Sequence, residues 1–180
     1  MRVYNFVAGP SILPLPVLEQ AQKELLDYQN TGISIMEMSH RGKPFMAVNA
    51  EANALLRELM NIPDDYSVLF VQGGATQQFA AVPLNLLKNG KADYILTGNF
   101  AAKAYEEGTK YGDMAIAASS KDATYTYIPD MNTIKFREGI DYVHTTYNNT
   151  IFGNSMEQML MFRRVYFIKA SAQNCYGFIS

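Results

Sequence analysis

Ser67-Val68-Leu69-Phe70-Val71-Gln72-Gly73-Gly74-Ala75-Thr76-Gln77-Gln78-Phe79 is the stretch on which the reading of the fold turns. Its first half is a β-branched and aromatic run of the kind that forms buried strands in parallel sheets. Gly73-Gly74 then permits a sharp turn where a Cβ would obstruct the chain, and the residues that follow reopen as a helix. The predicted unit is strand, loop, helix. With Thr76 as the helix cap, the first backbone N–H groups point outward, and with the positive end of the helix dipole they make a seat for a phosphate or another anion. A plain strand-to-helix turn fits the same pattern. No Gly-Lys-Ser/Thr follows, and the third glycine of a dinucleotide fingerprint is missing, so the stretch specifies an anion at most.

Composition bounds what surrounds it. The chain has 180 residues, 48% hydrophobic and 18% charged, enough for one ordinary core rather than two independent domains. A net charge of −2 and a pI near 5.7 give no long-range attraction for nucleic acid or for an anionic membrane surface. Cys175 is the only cysteine, so no intrachain disulfide forms, and the amino terminus lacks the basic-then-apolar pattern of a signal peptide. Apolar runs are all broken well short of the ~20 residues of a membrane span. The expectation is a globular cytoplasmic protein.

In chain order, Val3 to Pro10 reads as an extended arm ending in a turn, of a kind often exchanged between subunits. Pro16 to Tyr28 carries apolar residues at helical spacing, with Asn30-Thr31-Gly32 as the stop. Ser34 to Pro44 is predicted as a loop that carries His40 and Arg41 side by side, and Phe45 to Met60 as a second amphipathic helix. After the glycine loop, Gln77 to Leu87 is helical despite Pro83. Strands are expected at Ala92 to Leu96, Met114 to Ala118, Tyr125 to Ile128 and Asp141 to Tyr147, with a helix from Ala101 to Tyr111. Such alternation implies an α/β fold with a mainly parallel sheet covered by helices on both faces. Ligands of these sheets sit beyond the carboxyl ends of the strands, where the loops at Gly73-Gly74, Thr97 to Phe100 and Asn149-Thr150 would meet.

Four stretches in collinear order carry a resemblance: Asn5-Phe6-Val7-Ala8-Gly9-Pro10, Met38-Ser39-His40-Arg41-Gly42-Lys43, Leu69 to Asn85, and Asn148-Asn149-Thr150-Ile151-Phe152-Gly153. Together they make the chain similar to the phosphoserine aminotransferases, pyridoxal-phosphate enzymes of aminotransferase class V and fold type I, over about residues 3 to 153. The resemblance implies an incomplete fold type I large domain with its amino-terminal arm in residues 1–153, and a divergent tail in residues 154–180. It implies pyridoxal 5'-phosphate as cofactor, with Ala75 and Thr76 on its phosphate, Phe100 stacked on its pyridine ring and Thr150 on its ring oxygen. Arg41, with His40 beside it, would meet the anionic end of glutamate or phosphoserine. The implied reaction transfers an amino group between phosphoserine and 2-oxoglutarate, giving 3-phosphohydroxypyruvate and glutamate, in serine and commonly pyridoxine biosynthesis, by a cytoplasmic homodimer.

Each assignment has a physical basis and a plainer alternative. Arg41 offers a planar fork matched to carboxylate or phosphate, but would otherwise read as a surface arginine. Phe100 offers a flat apolar face, but an aromatic at a helix start is often simple core. Thr150 would otherwise be a residue of high β-propensity, and His144, inside an apolar strand, reads as a hydrogen-bonded core histidine.

The departure from the family lies downstream. Transamination needs a lysine that bonds the cofactor and a carboxylate beside the pyridine nitrogen. Residues 154–180 hold no aspartate, and their only lysine, Lys169, lacks the expected surroundings. No catalytic residue is therefore assigned, no metal site is expected, and this chain reads as a truncated form inactive on its own. A non-catalytic fragment that binds pyridoxal phosphate or an anion, or that pairs with an intact subunit, and another class V transaminase are the alternatives.

Overall fold

The computed structural model describes residues 2–7 and 12–156 together with the backbone of residues 166–171. The chain divides into two compact units, Met1–Phe70 and Val71–Ser180.

In the first unit, residues 2–7 have no regular secondary structure, and the stacked rings of Tyr4 and Phe6 are both exposed. Helix α1 spans Leu15–Glu24, with Pro16 in its first turn where a missing N–H costs nothing. It stops earlier than the sequence pattern predicts, and the chain turns through Gln29 and Asn30 at positive φ before Gly32 at φ +77°. The predicted loop from Ser34 contains a short 3-10 turn at Ile35–Glu37, closed by a capping box between Ser34 and Glu37. Helix α2, Lys43–Met60, ends at a left-handed Asn61. Arg57 then donates to the carbonyls of Pro63 and Tyr66 at 3.0 and 2.6 Å, which folds residues 62–66 back against the helix end.

Ser67 to Val71 is not a strand. Leu69, Phe70 and Val71 are 76%, 58% and 63% exposed, and the described residues supply no neighbouring strand to take up their backbone groups. A β-branched run fits a pleated surface only where one is present. The helix that follows forms as expected.

The second unit begins with α3, Gly74–Leu86, followed by β1 (Lys91–Leu96), α4 (Asn99–Gly108), β2 (Asp113–Ser119), β3 (Tyr142–Asn149), β4 (Asn154–Ser155) and β5 (Tyr166–Ser171). The strands form one five-stranded sheet. β1 lies parallel between β2 and β3, β5 pairs parallel with β3, and the two residues of β4 turn back antiparallel on the end of β3. The predicted strand at Tyr125 to Ile128 is absent. Thr124 and Tyr125 adopt positive φ of 53° and 58°, which no strand accommodates, and Tyr125 N–H closes a turn on the Ser120 carbonyl at 2.8 Å. The Tyr125 ring packs instead against Phe152.

Alternation along β1 sends Ala92, Tyr94 and Leu96 to one face, where they join Tyr142 of β3, Met114 of β2, Phe79 and Leu86 of α3 and Ala104 of α4 in the core. The Tyr94 and Tyr142 hydroxyls satisfy each other at 2.7 Å inside it. Gly108 lets the end of α4 close on this pair, since a Cβ there would lie 2.4 Å from the Tyr94 hydroxyl. The opposite face carries the buried Asp93, which Arg137 caps through two hydrogen bonds from the segment between β2 and β3. No helix among the described residues is long and apolar enough to cross a membrane.

Candidate functional site

The direction of α3 fixes where the site lies. Phe79, early in the helix, sets its ring edge-on to His144 in the middle of β3, at 6.2 Å between centroids. At the far end, the backbone N–H groups of Lys88, Asn89 and Gly90 donate to the carboxylate of Asp141, just before β3 begins. The helix therefore runs antiparallel to β1 and β3, and its amino end sits at their carboxyl edge. Thr97 to Phe100, directly after β1, and Thr150, directly after Asn149 at the end of β3, emerge at that same edge.

Gly73 is the N-cap of α3, at φ +90°, and no side chain caps the helix. Thr76 therefore belongs to the first turn and does not cap it as the sequence pattern suggests. The first hydrogen bond of the helix runs from Gln77 N–H to the Gly73 carbonyl, which leaves the N–H groups of Gly74, Ala75 and Thr76 without an intrahelical acceptor. Gly74 also has positive φ, +59°, and open space where a Cβ would stand. Three convergent donors at a positive helix end are a donor set for a phosphate-sized anion.

Phe100 lies in the first turn of α4, half-buried, and with Ala75 it borders the core cluster. The Lys103 ammonium stands 5.6 Å from its ring centroid. Thr150 occupies the turn after β3, half-buried. The structure thus brings Ala75, Thr76, Phe100 and Thr150 to one edge of the second unit. His40 and Arg41 lie in the first unit, both exposed, on the turn that leads into α2. Lys169 belongs to β5, and its side chain lies outside the described residues, as do Ala8-Gly9-Pro10 and Cys175.

A buried polar cluster that sequence reasoning missed joins the loops after β1 and β3. Asn149 Nδ2 donates to Thr97 Oγ1 at 2.9 Å and to Asn154 Oδ1 at 2.8 Å, while Asn154 Nδ2 donates to the carbonyls of Thr97 at 3.0 Å and Tyr125 at 2.6 Å. The only available signal was the run of polar residues at the ends of apolar strands.

His144 is buried, but neither ring nitrogen has a hydrogen-bond partner among the described residues, in place of the expected hydrogen-bonded core histidine. It stacks on Tyr94 at 5.0 Å, and burial among these rings lowers its pKa from 6.5 to about 4, so the imidazole under α3 is neutral.

Residues 3–166 match the model of the family aminotransferase class-V. The chain is similar to the phosphoserine aminotransferases of Halalkalibacterium halodurans, 57% identical over 153 residues, and Geobacillus kaustophilus, 54% identical over 158 residues. These matches cover 84% and 87% of this chain but 42% and 44% of the relatives. Among solved structures, the phosphoserine aminotransferase from Bacillus circulans subsp. alkalophilus superposes with a TM-score of 0.87 at 47% identity, covering 93% of this chain and 47% of that one. The phosphoserine aminotransferase with bound pyridoxal phosphate from Trichomonas vaginalis gives 0.85 at 34% identity over the same shares. The chain spans less than half the length of these relatives.

Proposed function

The chain belongs to the aminotransferase class-V family, with the α/β fold of the fold type I large domain, and on that premise we propose that it builds the phosphate and ring contacts of a pyridoxal phosphate site serving phosphoserine amino transfer. The observation that carries the reading is the uncapped start of α3, where the N–H donors of Gly74, Ala75 and Thr76 have no intrahelical acceptor and lie at the same sheet edge as Phe100 and Thr150. Bound there, pyridoxal phosphate supplies the electron sink that lets an amino group pass between an amino acid and a 2-oxo acid.

The protein's own groups bind and orient. The N–H groups of Ala75 and Thr76, with the Thr76 hydroxyl, hold the phosphate. Phe100 offers its face to the ring and excludes water from it, and the Thr150 hydroxyl donates to the ring oxygen. Arg41, assisted by His40, receives the anionic end of phosphoserine or glutamate, for which a guanidinium fork is better matched than an ammonium. The whole protein would convert phosphoserine and 2-oxoglutarate to 3-phosphohydroxypyruvate and glutamate, in serine and pyridoxine biosynthesis, as a cytoplasmic homodimer. Residues 1–153 form the arm and cofactor-binding part in this reading, and 154–180 a divergent segment. Amino transfer also needs the lysine and the carboxylate that the family resemblance places beyond the matched stretches. The 180 residues assayed by themselves are thus expected to take up cofactor without turnover.

The test is a titration of the full chain with pyridoxal phosphate, followed by induced circular dichroism in the cofactor band, with inorganic phosphate as competitor. Pyridoxal, which lacks the phosphate, is expected to bind roughly 30-fold more weakly, the loss of about 2 kcal/mol of charge-assisted hydrogen bonding. Thr150→Val should weaken binding about fivefold to tenfold, the worth of one hydrogen bond. Equal affinity for pyridoxal and pyridoxal phosphate would overturn the phosphate seat. Glutamate formation from phosphoserine and 2-oxoglutarate above a cofactor-only control would overturn the expected lack of turnover.

A further inference from the structure

The cluster at Asn149 and Thr97 joins the two segments that bear Phe100 and Thr150, and neither Asn149 nor Thr97 is among the residues assigned to the ring above. Thr97 is fully buried and Asn149 almost so. Both donors of the Asn149 amide are used, one on Thr97 Oγ1 and one on Asn154 Oδ1, and Asn154 returns a bond to the Thr97 carbonyl. The remaining acceptor, Asn149 Oδ1, has no partner among the described residues, and it lies where a Cβ at Gly98 would come within 2.2 Å of it. A glycine at 98 is therefore what allows the amide to lie against the backbone of the loop after β1.

A buried carbonyl without a donor is unfavourable, and an apolar side chain at 149 would avoid it. What the amide does in exchange is join two segments that the chain itself connects only through β2 and a long excursion. Thr97 leads within three residues to Phe100, and Asn149 is covalently next to Thr150. On the reading above, the Phe100 face and the Thr150 hydroxyl would both address one ring, so a shift of about 1 Å between their loops would satisfy one contact and lose the other.

Resting on the reading that Phe100 and Thr150 serve one cofactor, we propose that Asn149, acting through Thr97 and Asn154, is a positioning residue that locks the loop bearing Phe100 to the loop bearing Thr150. The lock leaves the phosphate seat alone, because the donors of α3 belong to neither loop. Ring positioning and phosphate binding are therefore separable by mutation.

The experiment uses the full chain and two readouts. Hydrogen exchange without cofactor, read at residues 98–102 and 150–153, reports the lock itself. Titration with pyridoxal phosphate against competing inorganic phosphate reports its use. Thr97→Val, which keeps the shape of a fully buried residue and removes its hydroxyl, is expected to speed exchange about tenfold in both segments together. It should weaken pyridoxal phosphate about fivefold or more while the inhibition constant of inorganic phosphate stays within about twofold. Thr97→Ser, which restores the hydroxyl, should behave as wild type. Asn154→Ala, at a half-buried position, should give the same paired pattern at about threefold amplitude even where the valine variant does not fold. Faster exchange confined to residues 98–102, equal weakening of inorganic phosphate, or a serine variant as impaired as the valine one would each overturn the proposal. A wild-type chain that takes up no pyridoxal phosphate would overturn the reading of the preceding subsection, and the paired exchange would still decide the lock.

Discussion

Arg137→Met is expected to lower the unfolding free energy of the second unit by about 2–3 kcal/mol, less than for a fully buried ion pair because the Arg137 side chain is 34% exposed while its partner Asp93 is buried. Asp93 is 1% exposed, within β1, and its carboxylate takes the Arg137 backbone N–H at 2.8 Å and the guanidinium Nε at 2.7 Å. The same guanidinium donates to the carbonyls of Ala92 and Asp113, both at 2.9 Å, and so stitches β1 to β2 where the two strands begin. Its fourth tie, to the carboxylate of the exposed Asp113, is screened by solvent and adds little. Without the guanidinium, a buried carboxylate keeps a single backbone donor. Replacing both residues, as Arg137→Met with Asp93→Leu, removes the stranded charge and should recover most of the loss. Urea unfolding of the two single variants, the double variant and wild type checks this through a shift of midpoint at constant slope. A single-variant loss below about 1 kcal/mol would show that water reaches Asp93 and replaces the arginine.

That ion pair was invisible in the sequence, and the reason separates what was legible from what was not. Local periodicity located α2 to within two residues and found β1, β2 and β3, because an apolar helix face or a short apolar run is written in consecutive residues. The order of the glycine loop, Phe100 and Thr150 along the chain was also legible, since family motifs are local. Partnership is a different matter. Ser67 to Val71 has strand composition and no neighbour among the described residues, whereas Tyr166 to Ser171, in a segment with no family motif, pairs in parallel with β3 from Tyr142 to Asn148. Tyr125 carries β-propensity, yet a left-handed backbone and a ring seated on Phe152 decide its conformation. The Asn149, Thr97 and Asn154 cluster depends on the register of β3 against β1, which no window of residues encodes.

Lowering the pH from 7.5 to 5 is expected to cost the wild-type chain about 2 kcal/mol of stability through His144 alone. The side chain is held between the Tyr94 ring at 5.0 Å and the edge of Phe79 at 6.2 Å, with Thr146 next along the same face of β3, and desolvation is the cause of its lowered pKa. The sign follows from which state takes the proton. Above pH 6.5 the imidazole is neutral folded and unfolded, so it contributes no pH dependence. Between 6.5 and about 4 the unfolded chain binds a proton that the folded chain refuses, and stability falls as pH falls. Each pH unit in that window is worth about 1.4 kcal/mol, so the loss approaches about 3 kcal/mol near pH 4. His144→Gln cannot titrate, while every other group is common to the two chains and cancels in their difference. The difference in urea midpoints between pH 7.5 and pH 5 should therefore be larger in wild type, by about 2 kcal/mol after conversion with the common slope. Identical pH dependence in the two chains would mean that the imidazole protonates without unfolding. Phe79 rests on that ring and belongs to α3, so protonation there would also disturb the helix whose first turn offers the phosphate donors. A fall in pyridoxal phosphate affinity that tracks the same pH window in wild type, and is absent in His144→Gln, is the expected functional counterpart.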